Sequence, residues 1–209
     1  MKTINFLLAG VGGQGTILAG ELLAHVGLSM GFEAKKAEVH GMSQRGGSVT
    51  SHVRWGTHVF SPVAGAGEVD FLLAFEKLEG LRSIHMLRPT AIALINQENI
   101  IPTSVTSQNQ VYPLDDEIHA AFAKSIQRAI FVDASDTAKA LGVPQTMNVV
   151  LIGALAAVLS AYPAAEFTQS DDVWLDVIVK RVPAKYAELN KTAFFAGKTL
   201  ITLPQKENV

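Results

Sequence analysis

The 209 residues include no cysteine, only 17% are charged, and 17 Lys+Arg against 19 Asp+Glu leave a formal charge of −2. These figures exclude a disulfide framework, thiolate zinc sites and cysteine-ligated iron–sulfur clusters within the chain. They also argue against nucleic acid as a general partner, because phosphate affinity rests on clustered Lys and Arg. The charged fraction is below the ~25% of ordinary soluble domains. Even so, the longest apolar run, Val149 to Leu159, is far shorter than the ~20 residues that span a bilayer. With no membrane segment and no signal-peptide cleavage region, the chain is expected to be cytoplasmic. Its excess apolar surface is expected to lie in a subunit interface. A chain of this size buries roughly 70% of its unfolded surface, which fits a single domain over 1–209.

Thr3–Ala9 is a short apolar run ending at Gly10 and reads as a buried parallel strand. From Gln14 to Met30, the spacing of Ile17, Leu18, Leu22 and Val26 predicts a helix that Gly31 stops. Phe32–Val39 supplies a second strand and completes a βαβ unit, and the glycine-rich stretch 40–47 is a loop. Ser48–Trp55 alternates, with Val49, Ser51, Val53 and Trp55 on one face and Thr50, His52 and Arg54 on the other, as in a half-exposed strand. Gly56-Thr57 would turn it into Val59-Phe60 as a hairpin. Further strands are expected at Val69–Phe75, Thr90–Asn96 and Ile130–Asp133. Helices are expected at Glu76–Leu87, Asp116–Gln127, Thr146–Ser160 and Asp171–Phe195, the last broken near Pro183. The alternation predicts an α/β fold of three layers, α/β/α, around a mostly parallel Rossmann-like sheet with an inserted β-hairpin.

Two loops carry candidate chemistry. Gly10-Val11-Gly12-Gly13-Gln14-Gly15 follows the first strand and opens the first helix, the context that gives G-x-G-x-x-G its meaning. Glycines let the backbone approach a ligand, and the helix N-terminus offers unpaired N–H groups to an anion. Thr16 and Ile17 stand where a P-loop needs Lys and Ser/Thr, so nucleotide triphosphate hydrolysis is not expected. A dinucleotide site would need an acidic residue at the end of the second strand, and Glu38 is the candidate. In the second loop, Ser43 is not a nucleophile elbow, because G-x-S-x-G would require Gly where Arg45 stands. Arg45 instead offers a forked donor for phosphate or carboxylate. Ser43 and Gln44 add neutral hydrogen bonds, while Gly46 and Gly47 supply backbone freedom. In a doubly wound sheet the two loops would share a crevice.

The ordered set Gly10-x-Gly12-Gly13-Gln14-Gly15, His40-Gly41-Met42-Ser43-Gln44-Arg45-Gly46-Gly47, Ala74-Phe75-Glu76-Lys77 and Met147-Asn148-Val149-Val150-Leu151-Ile152-Gly153-Ala154 resembles the gamma subunit or gamma domain of 2-oxoacid:ferredoxin oxidoreductases, with the indolepyruvate branch nearest. The resemblance runs from about residue 4 to about 197. It implies a subunit, inert alone, of a complex that decarboxylates a 2-oxo acid on thiamine diphosphate. Such a complex passes electrons through iron–sulfur clusters to ferredoxin and releases an acyl-coenzyme A. Thiamine diphosphate, Mg and the clusters would belong to partner subunits, and ferredoxin would be met only indirectly. Coenzyme A is the shared ligand expected at Gly10, Gly12, Gly13, Gln14, Gly15, Ser43, Gln44, Arg45, Gly46 and Gly47. Isolated, the chain is expected to homodimerise. An independent NAD(P)-binding oxidoreductase and a solitary interaction protein are the alternatives.

Other residues read more plainly. His25, His40, His52, His58, His85 and His119 form no recognised ligand spacing, although His52 and His58 could meet across the expected hairpin. His40, beside Arg45, is either a candidate acid or base or a hydrogen-bonded histidine at a strand end. Glu76 and Glu79, with Lys77 and Arg82 nearby, fit either paired carboxylates or a solvated ion-pair face. Asn148, the polar residue in its apolar helix start, reads as either a site residue or a buried hydrogen-bonding structural residue. The acidic residues before the later helices read as caps that complement the helix dipole.

Overall fold

A computed structural model describes residues 3–40, 46–100, 111–161 and 170–202. Six strands form one sheet in the order β2-β3-β1-β4-β5-β6. They are β1 (Ile4–Val11), β2 (Glu33–His40), β3 (Ser48–Gly56), β4 (Val69–Ala74), β5 (Leu87–Asn96) and β6 (Arg128–Val132). Around them lie α1 (Thr16–Ser29), α2 (Lys77–Arg82), α3 (Asp115–Ser125), α4 (Ala134–Ala140), α5 (Met147–Ser160), α6 (Asp171–Arg181) and α7 (Ala187–Thr199). β1, β4, β5 and β6 pair in parallel, whereas β3 runs antiparallel to both β1 and β2.

Period-two alternation sends the side chains of the central strands β1 and β4 to two opposed cores. Phe6, Leu8, Phe71 and Leu73 join Leu22, Val26, Val150 and Phe194 on one side of the sheet. Leu7, Ala9, Leu72 and Ala74 meet Ile118 and Phe122 on the other. The α/β/α layering is therefore as expected. The expected hairpin lies elsewhere: β3 pairs with β2, the strand before it, and inserts between β2 and β1.

Residues 57–64 are not a strand but a cover over the second face of β3. Arg54 Nη1 donates to the carbonyls of Ser61 (3.1 Å) and Val63 (3.0 Å). Ala64 N–H donates to His52 Nδ1 at 3.3 Å. His52 is consequently buried, and desolvation lowers its pKa. It does not meet His58, whose ring lies 3.9 Å from the Glu33 carboxylate.

The longest apolar run proves internal. Every residue from Met147 to Leu159 on α5 is buried, so this run needs no partner subunit to cover it. α5 crosses α7 with the two backbones touching. A Cβ at Gly153 would overlap the Phe194 carbonyl, and one at Gly197 would overlap the Val150 carbonyl. The expected break at Pro183 separates α6 from α7. α4, seven residues reading ASDTAKA, carries too little apolar periodicity to be seen in the sequence. Among the described residues no helix is long and apolar enough to cross a membrane.

Candidate functional site

The carboxyl ends of β1, β4, β5 and β6 share one edge of the sheet because these strands are parallel. The glycine loop sits on that edge. Gln14 N–H closes a turn on the Val11 carbonyl at 3.2 Å, and Gly13 (φ +104°) and Gly15 (φ +81°) adopt backbone angles that side chains resist. Gly15 is the N-cap of α1, whose first turn carries no acidic residue. Gly10 is required by space, since a Cβ there would lie 2.8 Å from Phe75 Cβ.

The described end of the second loop, Gly46-Gly47, adjoins the first. Gly12 N–H donates to the Gly47 carbonyl at 2.8 Å, and Gly46 has φ +71°. Ser43, Gln44 and Arg45 lie outside the described residues, as does the side chain of His40, whose backbone closes β2 opposite Val49.

Gln14 turns out to be a brace. Its Oε1 accepts from Val11 N–H at 2.7 Å, and its Nε2 donates to the Phe75 carbonyl and to Glu98 Oε2, both at 3.1 Å. Asn96, fully buried, donates to the same Phe75 carbonyl at 3.0 Å and to Ser135 Oγ at 2.8 Å. These two amides tie the ends of β1, β4 and β5 together beneath the loop.

A cavity of about 610 Å³ on one side of the loop is lined by Val11, Gly12, Gly13, Gly15, Thr16, Ile17, Leu18, Glu21 and Val49. A second, of about 440 Å³, lies on the other side against Glu98, Lys139, Gln145 and Asn148. Gly13, Gly15 and Leu18 border both, so the loop is the ridge between two adjoining hollows.

Beside this edge lies a group of buried charges that the sequence did not reveal. Glu76, Lys77 and Glu79 are all buried, which excludes a solvated ion-pair face. Glu76 caps α2 by accepting from Glu79 N–H at 2.9 Å and also accepts from the Tyr112 hydroxyl. Glu79 receives Ser48 Oγ at 2.6 Å and Arg82 Nη1 at 2.7 Å, while Lys77 pairs with Asp115. Burial pushes the Glu76 carboxyl above its usual range, and burial together with that carboxylate raises the Tyr112 phenol. Ser48 joins this group to the start of β3, so its evident effect is to fix the strand that follows the second loop.

The dinucleotide alternative fits the geometry poorly. With β3 inserted, Glu38 stands two strands from β1, roughly 10 Å across the sheet. It is also ion-paired with Lys36 at 2.6 Å. Among the described residues no group of three or more His, Cys, Asp or Glu is placed to hold a metal ion.

Comparison with known proteins agrees with this architecture. The family model described as pyruvate ferredoxin/flavodoxin oxidoreductase matches residues 5–200. Indolepyruvate oxidoreductase subunit IorB of Thermococcus kodakarensis is 37% identical over 198 residues, covering 94% of this chain and 95% of that protein. The gamma subunit of keto/oxoacid ferredoxin oxidoreductase from Geobacter sulfurreducens has the same fold, with a TM-score of 0.67, 23% identity, and coverage of 94% of this chain and 96% of that one. The 2-oxoglutarate:ferredoxin oxidoreductase of Magnetococcus marinus, solved with 2-oxoglutarate, coenzyme A and succinyl-CoA bound, matches with a TM-score of 0.70 and 18% identity. That match covers 96% of this chain but 31% of the larger one.

Proposed function

Because the chain belongs to the pyruvate ferredoxin/flavodoxin oxidoreductase family, we propose that it is the gamma-type subunit of a cytoplasmic 2-oxoacid:ferredoxin oxidoreductase complex. One gamma-type domain over 1–209 contributes no catalytic residue of its own and is inert alone. The observation that carries this reading is a match of 37% identity extending over nearly the whole of both chains. The relative's name supports an aryl 2-oxo acid such as indolepyruvate as the substrate, oxidatively decarboxylated to an acyl-coenzyme A.

Thiamine diphosphate, Mg and the iron–sulfur clusters belong to partner subunits in this reading. The chain has no cysteine to ligate a cluster, and no reaction step is assigned to its residues. Its part is to assemble with the thiamine-binding subunit and to help enclose coenzyme A. Gly13 and Gly15 present backbone to the ligand, Gly12 borders it while its N–H ties the loop to Gly47, and Gln14 holds the loop in shape. Ser43, Gln44, Arg45, Gly46 and Gly47 form the facing loop, with Arg45 meeting an anionic group of coenzyme A. Ferredoxin docks on the partners. Isolated, the chain homodimerises through the surface its partners would cover, where Phe60 is 96% exposed.

Arg45→Ala in the reconstituted complex tests the coenzyme part. The expected result is a raised coenzyme A requirement or weakened assembly. An intact complex with unchanged kinetics would reject it.

A further inference from the structure

The second hollow has properties that the coenzyme A reading does not use. The N-termini of α1 and α5 converge on it, through Gly15 and Asn148. α1 and α5 are also the helices whose first turns lack an acidic residue, whereas α2, α3, α4, α6 and α7 each carry one. Two partial positive ends therefore meet there without a side-chain anion of their own.

Asn148 supplies an independent pointer. It is 4% exposed, and its Oδ1 accepts from the adjacent Val149 N–H in the first turn of α5 at 2.9 Å. That bond leaves Nδ2 as the outward atom of the amide. Nδ2 lies against Gly15, 2.6 Å from where a Cβ would stand. Among the described residues it donates no hydrogen bond, and Asn148 lines the hollow. The side chain is otherwise enclosed, so a ligand or water in the hollow is the acceptor within its reach.

We infer that this hollow is an oxyanion subsite in which Asn148 Nδ2 and the free backbone N–H groups of the α1 N-terminus grip one singly charged oxygen group, a phosphodiester or a carboxylate. The charge state follows from the lining. Lys139 stands on one side, its Nζ 2.8 Å from Asp136. Glu98 stands on the other, already accepting from Gln14. Lys139 is already paired with Asp136, so beside Glu98 a second negative charge on the ligand would meet no further cation among the described lining residues. The inference deepens the coenzyme A reading, with which it shares Gly13 and Gly15, by adding Asn148 and the charge of the group bound, and small probes test it apart from coenzyme A.

The test is a titration of the full-length chain with dimethyl phosphate and, separately, with acetate, followed by amide NMR. Saturable shifts of the Gly13 and Gly15 amides and of the Asn148 side-chain NH₂ are expected. The probe that saturates them at the lower concentration distinguishes phosphodiester from carboxylate. Asn148→Asp keeps an acceptor for Val149 N–H and suits the α5 dipole, so the fold should survive, as an unchanged melting temperature would show. It replaces the donor with a negative oxygen, and affinity for the better probe should fall at least tenfold. An Asn148 NH₂ resonance unmoved by both probes in the unsubstituted chain would overturn the proposal, as would equal affinity in Asn148→Asp.

Discussion

Gly153 and Gly197 stand where α5 and α7 touch, with no room for a Cβ at either position. Gly13, by contrast, faces open space with nothing within 4 Å of its would-be Cβ, and only its φ of +104° demands glycine. The first pair is required by packing and the loop glycine by conformation. Gly15 belongs to both classes, with φ +81° and Asn148 against it. The contrast separates glycines that hold the fold from a glycine that faces open space, a distinction that composition and motif do not make.

Substitutions sharpen the contrast. Gly197→Ala or Gly153→Ala should have the largest effect, since a methyl meets backbone that no rotamer change can move. We expect a loss of at least about 3 kcal/mol in unfolding free energy, or roughly 6 °C or more in Tm. A variant as stable as the parent would show that the helices do not meet through their backbones. Gly15→Ala should cost about 1–3 kcal/mol from its backbone angle and should also displace Asn148, so thermal melting and anion binding should fall together.

Gly13→Ala should cost only about 1–2 kcal/mol, because nothing stands in the way of the methyl. Its effect on ligand should be disproportionate, with the apparent KM for coenzyme A in the complex rising at least tenfold while kcat is nearly constant. A large loss of stability with unchanged KM would reverse the assignment of these glycines.

The smallest effect is expected at Glu76. A folded-state pKa raised by burial means that this group's contribution is most favourable below the ordinary carboxylate range. That contribution is lost as pH rises through the raised value. Glu76→Gln should therefore gain on the parent between pH 4 and pH 7, by no more than about 1 kcal/mol, in denaturant unfolding at the two pH values. A pH-independent difference would contradict the burial account.

Local pattern made much of this legible. β1 and α1 flank a loop whose glycines follow an apolar run, and that order suffices to place the loop at a strand's carboxyl end. Pro183 marks a real break. Non-local placement was not legible. The alternation of β3 shows two faces but not which strands flank it, so the hairpin was expected on the wrong side and β2 one strand too near β1. Glu76 and Glu79 were compatible with solvent because the groups that bury and satisfy them, Tyr112 and Ser48, lie 36 residues after Glu76 and 31 before Glu79. For Asn148 the sequence left a structural amide and a site residue both open. Its Oδ1 fits the first, and the direction of its Nδ2 depends on Gly15, far away in sequence.

The central claim is that this chain works only as part of a larger oxidoreductase. Its most direct test is reconstitution of the complex from purified subunits, with and without this chain, measuring indolepyruvate- and coenzyme A-dependent ferredoxin reduction. Full activity should require the chain, which should co-purify with a cysteine-rich, thiamine-binding partner and show no activity by itself. Undiminished ferredoxin reduction without the chain would contradict the account.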